Sequence, residues 1–375
     1  MTETSPCEII VGVDTHKHTH AAVAINTLGA RLGAMTIPVS TTGYRDLEAW
    51  AKSFGPIRAF GIEGTGSYGA GLSRSLQASG HPVFEVNRPN RQLRHQHGKS
   101  DPLDAESAAR AVLGGQATAL PKTSTSTVEM IRHLKVARDT AVKGRTQAML
   151  TVKAIIVTAP ADLREQLDGI TGKMMLIRRL AALRPGKLTS TTASAKASLR
   201  AIARRWLALD TEIKAHDRHL DDLTRECAPA MLEAHGIAAG TAAELLLLVG
   251  DNPDRIRSEA AFAKLCGACP IPASSGKTTR HRLNRGGNRQ ANAALYRVVI
   301  VRMRGHQPTL DYVRRRTAEG KGKMEIIRCL KRFVAREIFG YLTRIRSFRG
   351  TRGKTPGNDI CIVSSCSRIS LNLNS

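Results

Sequence analysis

The chain has 375 residues, with 57 Lys and Arg against 31 Asp and Glu for a formal net charge of +26, and that length is ample for two or three domains with a sizeable core. Hydrophobic residues at 42% argue against wholesale disorder, no apolar run is long enough to span a bilayer, and Met1 to Ser5 lacks the basic-then-apolar order of a signal peptide. A pI of about 10.5 points to a polyanionic partner, most simply nucleic acid, while aromatics at 4% argue against binding that rests on stacked bases.

The charge is graded along the chain. Through Arg110 there are 11 basic and 10 acidic residues, a net of +1; from Ala111 to His235 there are 20 and 12, a net of +8; from Gly236 onward there are 26 and 9, a net of +17. These shifts predict domains at 1–120, 121–235 and 236–346, with Pro121 to Thr127 as the first linker and a disordered Gly-, Arg-, Ser- and Asn-rich tail over 347–375.

The first domain reads as α/β. Apolar runs at Glu8 to Asp14, His20 to Ile25 and Ala34 to Val39 predict three successive strands. A helix over Tyr44 to Phe54, a strand over Ala59 to Glu63, a helix over Ala70 to Ala78, a strand over Pro82 to Val86 and a helix opened by Ser100-Asp101-Pro102 follow. Three strands and then alternation is the order of a ribonuclease-H-like fold; a doubly wound sheet would set a helix between the first two strands.

In that order Asp14 and Glu63 end adjacent strands, and Asp101 and Asp104, three apart, share one face of a helix start. Four convergent acids repel one another unless cations intervene, and hard oxygen ligands suit Mg²⁺ or Mn²⁺. Taken singly, Asp101 before Pro102 reads as a helix N-cap, and Asp104 as an acid suited to the helix dipole. Gly64 to Gly69 satisfies a G-x-G-x-x-G pattern after a strand, with Glu85 ending the next one. A dinucleotide site there would leave Asp14, Asp101 and Asp104 coincidental, and the simpler reading is a flexible turn. His16, His18 and His20 alternate after Asp14 and read as exposed hairpin residues more readily than as metal ligands.

The middle is helical. Val128 to Val157 forms one helix, Thr189 to Ala197 a Ser/Thr/Ala linker, and Leu199, Ile202, Trp206, Leu209, Ile213, His216, Leu220 and Leu223 an a/d seam with coiled-coil spacing. The seam serves either dimerisation or a helical hairpin within one chain.

The last third is the most basic. His235 to Leu246, with Gly236 and Gly240, has the form of a helix-hairpin-helix that offers backbone N–H groups to a phosphate; a plain αα-turn is the simpler alternative. Cys266-x-x-Cys269 stands without a second pair at zinc spacing, and the seven scattered cysteines fit a reducing cytoplasm. A loop from Pro270 to Lys277 offers Ser274 and Ser275, either as a nucleophile or as a passive phosphate donor. Lys277, Arg280, Arg282, Arg285 and Arg289, with Asn288, suit contacts to a phosphate backbone. A basic helix over Met324 to Leu342 closes the region.

Gly12-Val13-Asp14-Thr15-His16-Lys17, Glu63-Gly64-Thr65-Gly66 and Lys99 to Ala105, followed by Gly250-Asp251, Ser274-Ser275-Gly276 and Arg285-Gly286-Gly287-Asn288, resemble the DEDD transposases of the insertion sequence 110 family. The resemblance covers the chain to about residue 345. It implies a RuvC-like first domain, a serine-bearing transposase domain at the C-terminus, and a site-specific recombinase that moves its own element. Asp14, Glu63, Asp101 and Asp104 would be the four metal-binding acids. Ser275, which precedes the glycine, would be the nucleophile, with Ser274 as alternate, forming a phosphoserine link to DNA. The family also implies a structured guide RNA, which fits a protein that needs backbone affinity more than base readout; the expected assembly is a homodimer or tetramer. Arg289-Gln290-Ala291-Asn292 departs from the Leu-Arg pair of many members. A metal-dependent junction nuclease using water, or a non-catalytic nucleic-acid-binding relic, are the alternative readings.

Overall fold

The computed structural model describes residues 8–86, 100–122, 126–251, 256–277 and 281–351, with the backbone alone described over 344–351. Lys99, Arg280, most of the first linker's Thr123 to Thr127 stretch and residues 352–375 of the expected tail lie outside the described residues.

Five strands open the chain: β1 (Ile9–Thr15), β2 (Thr19–Asn26), β3 (Arg31–Pro38), β4 (Ile57–Glu63) and β5 (Val83–Val86). Their spatial order is β3-β2-β1-β4-β5; β1 pairs antiparallel with β2 and parallel with β4, and β4 pairs parallel with β5. The central strand β1 is apolar nearly throughout because both of its faces are covered. On one face Val11, Val13, Phe60 and Ile62 pack against Leu47 of α1 (Thr41–Lys52) and Leu72 and Leu76 of α2 (Ala70–Ala78). On the other, Ile10, Val23 and Ile25 meet Ala105 and Ala109 of α3 (Asp101–Leu113).

Two long antiparallel helices follow, α4 (Thr127–Thr158) and α7 (Thr191–Cys227), joined through α5 (Ala161–Asp168) and α6 (Lys173–Ala181). The a/d seam is spent on this hairpin. Leu199, Trp206, Ile213 and Leu220 are buried and Ile202, Leu209, His216 and Leu223 half-buried, with α7 packed along α4 of the same chain. Arg145 and Arg138 on α4 reach Asp210 and Asp217 on α7, each at 2.5 Å, which fixes the register. The expected linker at Thr189 to Ala197 is mostly helix: Ser190 caps α7 by accepting from Ala193 N, and Ala193, Ala195 and Ala197 are strong helix formers.

The C-terminal part comprises α8 (Pro229–Leu232), α9 (Ala239–Val249), α10 (Glu259–Leu265), a short hairpin of β6 (Ile271–Pro272) and β7 (His281–Arg282), then α11 (Arg289–Gly305), α12 (Gln307–Ala318) and α13 (Lys323–Thr351). Leu245, Phe262, Leu295, Val298 and Ile327 form its core together with Ile131 of α4 and Leu220 of α7, so the base of the long hairpin is embedded in it. The other end of the hairpin has a separate core, in which Val152 and Trp206 meet Leu163 and Ile177. Helix α13 continues to Thr351, beyond residue 347, where the sequence loses its periodicity. Among the described residues no helix is long and apolar enough to cross a membrane.

Candidate active site

The parallel pairing of β1 with β4 sets Val13 opposite Ile62, so the next residue along each strand brings Asp14 beside Glu63. Alternation turns Gly12, Asp14, Gly61 and Glu63 to the side that α3 covers. The two glycines let that helix lie against bare backbone. A Cβ on Gly12 would sit 1.9 Å from the Ala105 carbonyl oxygen and one on Gly61 2.8 Å from that of Ala108. This close approach brings the first turn of α3, with Asp101 and Asp104, to the carboxyl ends of β1 and β4. The capping role expected of Asp101 falls instead to the position before it: Ser100 has extended backbone, its carbonyl accepts from Leu103 N and Asp104 N, and Asp101 is the first helical residue. Asp101 therefore has no capping duty.

His16 completes the group. Its Nε2 lies 3.2 Å from Asp14 Oδ2 and 3.3 Å from Asp101 Oδ1, and one ligand atom from each of the three residues falls within 4.8 Å of the others. Asp14 and Asp104 are buried. Burial pushes the Asp14 carboxyl above its ordinary range; His16 pulls it back, and the neighbouring charges of Asp104 and Asp101 push it up again. Thr15 Oγ1 donates to the Glu63 carbonyl at 2.8 Å and ties the two strand ends together. Adjacent ligands held ~2.1 Å from an octahedral ion stand roughly 3 Å apart, so the spacing of these donors suits a divalent cation, as does a buried carboxyl destabilised by other acids. Among the described residues it is the only such trio.

The glycine loop after β4 is arranged otherwise than a phosphate cradle. The Gly64 carbonyl accepts from Ser67 N, Gly69 N and Ser67 Oγ, which engages donors such a cradle would direct outward. His18 is exposed, and His20 is fully buried on the opposite face of the sheet, stacked on Tyr44.

In the C-terminal part, Ser275 is exposed in the loop between β6 and β7, next to Gly276 in the left-handed region (φ 54°). Ser274 and Lys277 are exposed beside it. The base of this hairpin is clamped: Gly287 lies so close to Gly267 that a Cβ would sit 2.3 Å from its Cα, and Asn292 Nδ2 donates to the carbonyls of Cys266 and Gly267. Asn288, expected to face nucleic acid, uses its side chain to cap α11 by accepting from Ala291 N at 2.9 Å. Arg282, Arg285 and Arg289 are exposed, with no acidic partner among the described residues. Gly236 (φ 83°) turns the chain against Val298 on α11, and Gly240 sits in the open first turn of α9. Cys266 and Cys269 are free thiols, and burial pushes the Cys266 thiol up to about 12. Within one chain neither hairpin strand packs extensively against β1, β4 or α3.

Residues 11–159 match the IS110 DEDD transposase model, and residues 228–314 match the transposase model of the IS116/IS110/IS902 family. The chain belongs to the IS110 family of transposases. No curated protein matches it. The first match takes in all four acids and His16 of this transposase, and the second its two serines and the basic hairpin. Membership implies DNA binding with cleavage and recombination in general, and the DEDD domain suggests a divalent metal. In this transposase the residue that sequence reasoning set aside is His16. The signal available for it was its position two residues after Asp14 at a strand end, where alternation turns both side chains the same way.

Proposed function

We propose that this transposase is a recombinase in which Asp14, Glu63, Asp101 and Asp104 bind Mg²⁺ or Mn²⁺ and Ser275, with Ser274 as alternate, is the nucleophile. The observation that carries this reading is the convergence of Asp14 and His16, at the end of β1, with Asp101, at the start of α3, in a segment matched to DEDD transposases. The strand order β3-β2-β1-β4-β5 supports a RuvC-like, ribonuclease-H-like first domain over residues 1–120. The turn between α8 and α9 supports a helix-hairpin-helix at the start of a C-terminal domain over 236–346, with the helical region 121–235 between them.

Asp14 and Asp101 stand together at the site, and a divalent ion bound there would neutralise charge on the scissile phosphate and on the entering and leaving oxygens. Ser275 Oγ bonds to phosphorus as the bond to the leaving sugar oxygen breaks; the serine gives up its proton and the leaving oxygen gains one. One phosphodiester is exchanged for another, so the phosphoserine link stores the bond for rejoining, and strand exchange needs no external energy source. We propose that the serine hairpin meets the acids in a nucleoprotein assembly, as a homodimer or tetramer. Exposed cations around the hairpin suit a DNA backbone, with sequence choice delegated to a structured guide RNA. The protein works in the cytoplasm, on the nucleoid.

The test is an excision assay with a denaturing gel for protein–DNA adducts. Asp14→Ala and Ser275→Ala are expected to abolish excision while DNA binding survives. Full activity of the Ser274→Ala, Ser275→Ala double variant, or free cut ends with no adduct in wild type, would point instead to a water-using nuclease.

A further inference from the structure

The His16 imidazole is the feature the serine mechanism leaves unused. Its Nε2 is shielded from solvent and lies between two carboxylate oxygens, 3.2 Å from Asp14 Oδ2 and 3.3 Å from Asp101 Oδ1. The backbone fixes the ring there, since His16 N donates to Thr19 O at 3.1 Å across the β1–β2 turn. A neutral imidazole has one ring nitrogen with an in-plane lone pair. A shielded nitrogen flanked by two acids calls for a partner that all three can share, and a cation also relieves the repulsion between the acids.

We infer that His16 is a third protein ligand of the ion held by Asp14 and Asp101, and that its nitrogen biases the site toward Mn²⁺ over Mg²⁺. This rests on the metal reading of the acids given above. Mg²⁺ takes oxygen donors in a strict octahedron, whereas first-row transition ions bind imidazole increasingly well along the series that begins at Mn²⁺. Neither neighbouring histidine can substitute: His18 is exposed, and His20 is buried on the far face of the sheet. The His16 side chain is 42% exposed and sits at a hairpin turn, so its replacement leaves the core intact.

The experiment uses the full chain with Mn²⁺ as the probe. It reads nitrogen coupling to the bound ion by electron spin echo, with Mg²⁺ affinity measured by competition. Wild type should show one nitrogen coupling that His16→Ala and His16→Gln both lose. Mn²⁺ affinity should fall about tenfold or more and Mg²⁺ affinity change less than about threefold. Circular dichroism establishes that the variants are folded. A nitrogen coupling that persists in both variants, or bound Mn²⁺ without nitrogen coupling in wild type, overturns the assignment of His16 and leaves the metal reading standing. Failure of wild type to bind either ion, or binding unaffected by Asp14→Asn, overturns the metal reading itself.

Discussion

At the scale of single residues the site depends on atoms that are missing. Gly12 and Gly61 carry no side chain where α3 crosses the sheet, and the neighbours of a Cβ there would be mainly backbone, which cannot swing aside. Gly12→Ala is therefore expected to displace α3 and cost about 1–3 kcal/mol of stability in urea unfolding. Mn²⁺ binding should weaken more than stability does, because Asp101 and Asp104 travel with the helix. Gly66→Ala is the control: its Cβ would meet nothing within 4 Å, and neither quantity should move. Wild-type stability in Gly12→Ala would show that the helix is not held at that distance. The places of the four acids, at two strand ends and in a helix's first turn, were legible from the sequence because strand ends and a helix start can be read from periodicity. His16 was not, since exposed and inward-turned hairpin histidines look alike until the turn geometry is known. Nor was the one-residue shift that makes Ser100, not Asp101, the cap.

At the scale of elements, a partly buried ion pair joins α11 to α13. Arg302 donates to both Glu337 oxygens, at 2.6 and 2.9 Å, and to the His235 carbonyl at 2.8 Å. Burial pushes the Glu337 carboxyl up, but hydrogen bonds from Arg302 and Tyr341 outweigh it and hold the group below its ordinary range. A depressed carboxyl stabilises the fold above its unfolded value, about pH 4.3, and that stability is lost as pH falls through the folded value. Arg302→Ala should cost about 3 kcal/mol at neutral pH, because Glu337 is left half-buried without its partner. The variant should also lose this part of the acid-induced destabilisation, which unfolding curves taken across pH would reveal. An unchanged acid limb would show that the pair contributes nothing. The long helix α7 was legible from heptad spacing and α4 as a less regular helical stretch; the partner of the seam was not, because the same spacing serves two chains or one. Strands of two residues, such as β6 and β7, carry no readable period at all.

At the scale of the whole molecule the charge gradient survives folding, with the most basic part carrying exposed Arg282, Arg285 and Arg289 around the serine hairpin. DNA affinity should fall steeply with salt. Arg285→Ala and Arg289→Ala should each lower the slope of log affinity against log salt by about 1, measured by fluorescence anisotropy. Slopes unchanged in both variants would remove the hairpin from the DNA interface.

The hairpin of α4 and α7 is anchored at Ile131 and Leu220 and carries its second core around Val152 and Trp206. From residue 131 to residue 152 the rise of a helix spans on the order of 30 Å. Such an arm is a lever: a tilt of about ten degrees at the root sweeps the tip through roughly 5 Å. Small adjustments in the basic body are thereby magnified at its far end.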